Sequence, residues 1–170
     1  TYAGMGTTLV LSVFRPGRLL MGHIGDSRGY RWRHGVLQQI TKDHSLLQEQ
    51  IDAGMLTPEQ AQFAANKNLV TRALGVEDMV LLETRQHDVM PGDVYLMCSD
   101  GLSDMLRDAQ IAEIMAAHPR LPEMGEALVA AANEAGGRDN IAVALARANG
   151  TSESSAAKSW WPFKRPSGLA

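Results

Sequence analysis

Two hairpins near the start of the chain do most to limit what it can fold into. Leu9 to Phe14 is rich in β-formers, Arg15-Pro16-Gly17-Arg18 has turn chemistry, and Leu19 to Ile24 is β-rich again. Tyr30 to Arg33 alternates in side-chain character, His34-Gly35 turns, and Val36 to Ile40 returns, so this second hairpin is expected to keep one wet face. Strands that come in hairpins argue for antiparallel sheets and against alternating βαβ units.

The later sequence adds strands and then helices. Val80 to His87 and Val94 to Cys98 read as strands, the second apolar enough to be buried on both faces. Asp108 is placed to cap a helix whose apolar face is Ile111, Ile114 and Met115, with His118 beyond them. Pro122 begins a second helix running towards Ala135, with Met124, Leu128 and Ala132 on one stripe and Gly136-Gly137 at its end. Ile141 to Ala146 closes the set as a strand. Between them, residues 45–65 are polar and helical in preference, and Thr57-Pro58-Glu59-Gln60 carries a helix-start pattern. This stretch reads as a helical insertion. The order predicts an α+β fold. From residue 149 the composition shifts to Ser, Thr, Ala and Glu, and 149–170 is expected to be a disordered tail. An apolar fraction of 45% suits a globular domain, and a net charge of -3 excludes a nucleic-acid binder with a broad basic face. No apolar run is long enough to span a bilayer.

Three aspartates share one setting. Asp26 follows Gly22-His23-Ile24-Gly25, Asp100 follows the run Val94 to Ser99, and Asp139 follows Gly136-Gly137-Arg138. Each lies where an apolar strand meets a glycine-containing turn. Carboxylates converging at strand ends repel one another unless a cation lies between them, and an all-oxygen ligand set suits Mg²⁺ or Mn²⁺. Zinc is disfavoured, because Cys98 stands alone and the five histidines are scattered. Taken singly, each of these aspartates is also what an ordinary turn would carry.

The ordered strings go further. Gly4-Met5-Gly6-Thr7-Thr8 is followed by Gly22-His23-Ile24-Gly25-Asp26-Ser27-Arg28, Thr41-Lys42-Asp43-His44-Ser45 and Leu69-Val70-Thr71-Arg72-Ala73-Leu74-Gly75. Then come Gly92-Asp93, Cys98-Ser99-Asp100-Gly101-Leu102 and Gly137-Arg138-Asp139-Asn140-Ile141. Across Gly4 to Ala146 the chain resembles the PP2C-type (PPM) metal-dependent protein serine/threonine phosphatases of bacteria. The resemblance implies an αββα sandwich: two packed antiparallel β-sheets flanked by helices, with 1–148 forming a partial domain and about 45–65 the flap beside the active site. It implies hydrolysis of phosphoserine and phosphothreonine on proteins, reversing a bacterial Ser/Thr kinase, with two or three Mg²⁺ or Mn²⁺ ions. Asp100 and Asp139 match ligands of the second metal, and Asp26, with Asp100, matches ligands of a third. The family's phosphate-holding arginine, its Asn-Glu-Asp string, its Asp-Gly-Met-Gly-Gly string and its proposed histidine general acid have no counterpart here. Gly4-Met5-Gly6 is not that string, because it lacks the preceding aspartate. The missing parts are expected upstream of Thr1, so no catalytic residue is assigned and the segment alone is expected to be inactive.

The remaining residues carry plainer expectations. His23 should pack in a strand, and His44 should make a local hydrogen bond. Buried Cys98 should behave as a small hydrophobe, and the dispersed methionines should fill core. Arg28 and Arg138 could meet phosphate or form ion pairs. Asp93 reads as a turn residue. Trp160-Trp161-Pro162-Phe163-Lys164-Arg165 pairs aromatics with basic groups and could dock on a partner or a membrane surface. A lone cysteine is compatible with a reducing compartment, and the protein is read as cytoplasmic and monomeric. The competing function is a catalytically dead, phosphatase-like module that binds or regulates phosphoproteins.

Overall fold

A computed structural model describes residues 4–61, 69–77 and 79–149. The tail from 150 onwards, including Trp160 to Arg165, lies outside them.

The two hairpins form as the turn chemistry requires. Strand β1 (Leu9–Arg15) pairs with β2 (Arg18–Ile24), and β3 (Arg28–Arg33) pairs with β4 (Val36–Gln39). They do not share a sheet. β2 continues to β5 (Glu83–Asp88), giving a three-stranded sheet of order β1-β2-β5. β3 continues to β6 (Val94–Cys98) and then β7 (Val143–Arg147), giving a four-stranded sheet of order β4-β3-β6-β7. All pairings are antiparallel. The chain therefore crosses between sheets in the three residues from Gly25 to Ser27.

Strand β6 is apolar throughout because both its faces are covered. Val94, Leu96 and Cys98 face the helices, packing with Tyr30, Ile111, Met115, Met124 and Leu128. Tyr95 faces the other sheet, where it joins Leu19, Met21 and Ile40, with Val10 and Met97 alongside. The period-two alternation of a strand thus feeds two cores from one segment. Burial raises the Cys98 thiol to about 12, so it is an inert hydrophobe.

The helices are α1 (Leu46–Asp52), α2 (Pro58–Ala61), α3 (Asp100–Ser103), α4 (Asp108–Ala117) and α5 (Leu121–Glu134). The expected stripe Met124, Leu128 and Ala132 is buried in α5, as are Ile111 and Met115 in α4. Thr57 and Gln60 cap α2 reciprocally, at 2.9 and 3.3 Å. Several details differ from expectation, β7 among them, which spans Val143–Arg147 rather than Ile141 to Ala146. Asp108 is not the α4 cap: Arg107 holds that position, its N–H donating to the Gln110 side chain at 3.1 Å, while Asp108 accepts from the Tyr30 hydroxyl at 3.1 Å. β5 starts at Glu83 rather than Val80, where its pairing with β2 begins, opposite His23. The methionines are not all core: Met5 and Met90 are exposed.

Among the described residues, α3, α4 and α5 pack on one side of the sandwich only. Each sheet has one face in the inter-sheet core. The outer face of the three-stranded sheet carries Leu11 and Leu82 on either side of Gly22, with Val13 and Leu20 exposed nearby.

Candidate functional site

The seven sequence strings are scattered along the chain, yet four of them form a closed ring of contacts at one end of the sandwich, and two more attach to it. Thr7 bridges Leu74 through two backbone hydrogen bonds, of 3.0 and 2.8 Å. Thr71 donates its N–H to the His44 carbonyl at 2.8 Å. His44 donates its own N–H to the Gly25 carbonyl at 3.0 Å. Thr8 and Ser27 share a hydroxyl–hydroxyl hydrogen bond of 2.8 Å, which closes the circuit through the first four strings. The string holding Asp100 approaches it at Asp26, and the string holding Asp139 is fastened to that of Asp100 through Ser99.

Asp26 occupies the crossing between the two sheets. Gly25, just before it, has φ +97°, and a Cβ there would overlap the Thr8 side chain. Only glycine meets both demands. Asp100 follows β6 and opens α3, and its carboxylate accepts from the Gly101 N–H at 2.8 Å. The two aspartates come from different strand ends, and Asp100 lies near enough for its charge to act on Asp26. Burial raises the Asp26 carboxyl above its ordinary value, and the Asp100 charge raises it further, with smaller contributions in the same direction from Asp43 and Asp104.

Asp139 is exposed, and its carboxylate accepts from the Asn140 N–H at 2.6 Å. Its segment is fastened to that of Asp100. Ser99 Oγ donates to the Asn140 carbonyl at 3.1 Å and accepts from the Ala142 N–H at 3.0 Å. The Asn140 carbonyl oxygen lies so close over Gly101 that a Cβ there would overlap it. The two segments, 41 residues apart, therefore move as one piece.

Neither candidate phosphate arginine stands out as an anion receptor. Arg28 forms a bidentate pair with Asp43, Nε to both carboxylate oxygens and Nη2 to Oδ2 at 2.7 Å, and Nη1 donates to the Tyr30 hydroxyl at 3.3 Å. That makes it a structural ion pair. Arg138 is exposed.

The donor set fits hard divalent cations. Asp26 and Asp100 offer oxygen ligands in a partly buried setting where like charges already strain the ionised state, and a cation would relieve that strain. A sequence profile for protein phosphatase 2C matches residues 1–146. The chain belongs to the protein phosphatase 2C family. Over 146 residues it is 39% identical to the serine/threonine phosphatase stp of Listeria innocua, covering 86% of this chain and 58% of that protein. Over 144 residues it is 44% identical to PstP of Mycobacterium tuberculosis, covering 84% of this chain and 27% of that protein. The crystal structure of M. tuberculosis PstP/Ppp matches with a TM-score of 0.82 at 42% identity, covering 86% of this chain and 61% of that one. A structure of the PstP catalytic domain in complex with two manganese ions matches with a TM-score of 0.74 at 42% identity, covering 84% and 58%. The chain thus spans less than two thirds of these relatives.

Sequence reasoning missed one cluster in this protein phosphatase 2C chain. His23, His44 and Glu83 bring donor atoms within 4.8 Å of one another, close enough to suggest a second metal group. The hydrogen bonds argue otherwise. His23 Nε2 must donate to the Lys42 carbonyl, at 2.6 Å, since a carbonyl only accepts. His44 Nδ1 accepts from the Gly25 N–H at 3.1 Å, so its proton sits on Nε2 and goes to Glu83 at 3.1 Å. The two rings stack at 4.6 Å and 15°, and nearly parallel rings share no in-plane point for an ion. Burial, with His44 alongside, holds His23 below its ordinary pKa and therefore neutral. The readable signal was the β2–β5 register, which sets His23 opposite Glu83.

Proposed function

We propose that the protein carrying this chain hydrolyses phosphoserine and phosphothreonine on other proteins, using Mg²⁺ or Mn²⁺. The approach of the Asp100 charge to the half-buried Asp26, which is carried on a separate strand end, carries this reading. Asp139 is assigned to the same ligand set because its segment is bound to that of Asp100. Support for the metal comes from the related PstP domain, which binds two manganese ions. Bound among these carboxylates, such ions would offset the negative charge of a phosphoryl group and lower the pKa of a water that attacks phosphorus. The chain's own part is to hold the ligands rigidly: Gly25 and Gly101 allow the close approach, and Ser99 ties the Asp139 segment down. Helices α1 and α2 belong to the insertion that we assign as a flap over the site. The substrates are assigned to a Ser/Thr kinase acting in the cytoplasm, which suits the single unpaired Cys98. Among the described residues no helix is long and apolar enough to cross a membrane.

The test uses the full-length protein. Phosphate release from a phosphothreonine peptide should depend on added Mn²⁺, and Asp100→Asn should lower kcat/KM at least about a hundredfold, as loss of a charged metal ligand does. Wild-type protein that binds the phosphopeptide without turning it over would instead establish the dead, phosphoprotein-binding module.

A further inference from the structure

The His23–His44–Glu83 cluster lies outside the proposed ligand set, yet it touches the turn that presents Asp26. We infer that His44, oriented by Glu83, is a positioning residue that clamps the Gly25–Asp26 peptide and links it to the base of the helical insertion. The inference rests on the metal-phosphatase reading for its consequence, though not for its geometry.

The clamp has two points. The His44 ring accepts the Gly25 N–H through Nδ1, and the His44 backbone N–H donates to the Gly25 carbonyl. Both polar groups of a glycine held at φ +97° are thereby satisfied by one residue. The peptide that follows, Gly25–Asp26, is the one whose orientation aims the Asp26 side chain. Glycine is the residue most free to leave such a conformation, so a clamp is most useful there.

The ring can accept at Nδ1 only while its proton stays on Nε2, and Glu83 ensures that. Glu83 Oε2 takes the Nε2 proton, while Oε1 is held by Arg85 at 2.9 Å. This is the arrangement by which a carboxylate fixes a histidine tautomer. His23 supports the ring from its other face by stacking, and is itself tied to the Lys42 carbonyl.

His44 also faces the insertion. Its carbonyl accepts the Thr71 N–H, and the next residue, Ser45, caps α1 by accepting the Gln48 N–H at 3.2 Å. A displacement at the base of α1 therefore reaches Gly25 through a single residue, with no flexible link between.

Isosteric substitutions in the full-length protein separate the two ring nitrogens. In His44→Asn the amide oxygen takes the place of Nδ1 and still accepts the Gly25 N–H. In His44→Gln the amide reaches Glu83 and leaves Gly25 unserved. The readouts are amide exchange at Gly25 by NMR, and Mn²⁺ affinity by EPR in the absence of substrate. His44→Gln should speed Gly25 exchange and weaken Mn²⁺ binding about tenfold, the size of one hydrogen bond, while His44→Asn should stay within about threefold of wild type. Glu83→Gln can accept from Nε2 only by turning its amide NH2 towards the Arg85 donors, so it should fall between wild type and His44→Gln. Equal Gly25 exchange in the Asn and Gln variants, both folded by thermal melting, would overturn the clamp. Asp26→Asn serves as the control for the metal reading. If it leaves Mn²⁺ binding unchanged while Gly25 exchange still divides the His44 variants, the ligand assignment fails and the clamp stands.

Discussion

Asp93 is 1% exposed, and a carboxylate so placed survives only with its lone pairs filled. Arg33 supplies Nε at 2.7 Å and Nη2 at 2.6 Å, the Met90 N–H supplies a third bond at 2.8 Å, and the Tyr95 hydroxyl a fourth at 3.0 Å. Burial by itself would raise the carboxyl, but the guanidinium and the neutral donors outweigh it and hold the group down to about 2. A pKa lowered on folding gives stability that is complete above the ordinary carboxyl value and is lost as pH falls towards 2. The difference amounts to about 2 kcal/mol. Asp93→Asn should therefore cost about 2 kcal/mol near neutrality, with the gap to wild type closing between about pH 4 and pH 2. Urea denaturation at several pH values checks this. A gap that stays constant down to pH 2 would remove the ion pair as its source. None of this was legible in Pro91-Gly92-Asp93, which reads as a turn, because the partner Arg33 lies 60 residues away. Asp26, Asp100 and Asp139 were legible as candidates because strand-to-glycine junctions are local patterns, whereas the crowding of Asp43 and Asp104 around Asp26 is a product of the fold.

Elements were readable where their causes were local and misread where a neighbour decided. The β1–β2 and β3–β4 hairpins follow from their turns, and the buried stripe of α5 follows from its periodicity. The onset of β5 does not, since Val80, Leu81 and Leu82 are as β-prone as any strand, yet the pairing with β2 begins only at Glu83. The start of α4 went to Arg107 because Tyr30, from the neighbouring sheet, takes the Asp108 carboxylate. Helix α3 was hidden for a similar reason: Asp100-Gly101 looks like a turn, and its helical course is fixed by packing under the Asn140 carbonyl. That contact makes a sharp prediction. The obstacle above Gly101 is backbone, so Gly101→Ala must push α3 and the 139–142 segment apart, at a cost of about 1–3 kcal/mol. An exposed helical glycine replaced by alanine would instead gain about 0.5–1 kcal/mol. The sign of the shift in the urea midpoint thus decides whether the two segments are pressed together as described.

At the scale of the molecule the sandwich is unequally covered. Helices α3, α4 and α5 bury one face of the four-stranded sheet, while the far face of the three-stranded sheet leaves Val13 44%, Leu20 43% and Leu82 40% exposed. An apolar strand surface of that kind, left open, invites association. The related proteins are longer than this segment, which covers 58% of the Listeria innocua phosphatase. A covering layer over this face in a longer protein would lead to opposite outcomes for one substitution. In the segment produced alone, Leu20→Lys puts a charge on an open face, and it should reduce both ANS fluorescence and self-association without loss of stability. In the full-length protein the same lysine would be forced under the covering layer, and it should lower the urea midpoint by the equivalent of about 2–3 kcal/mol, the cost of losing a buried leucine and stranding a charge. Near-UV dichroism, to which Trp32 in the helix-side core contributes, reports whether the rest of the fold is intact in either setting. A neutral effect in the full-length protein would mean that this face stays open to solvent there, and is itself a surface for another molecule.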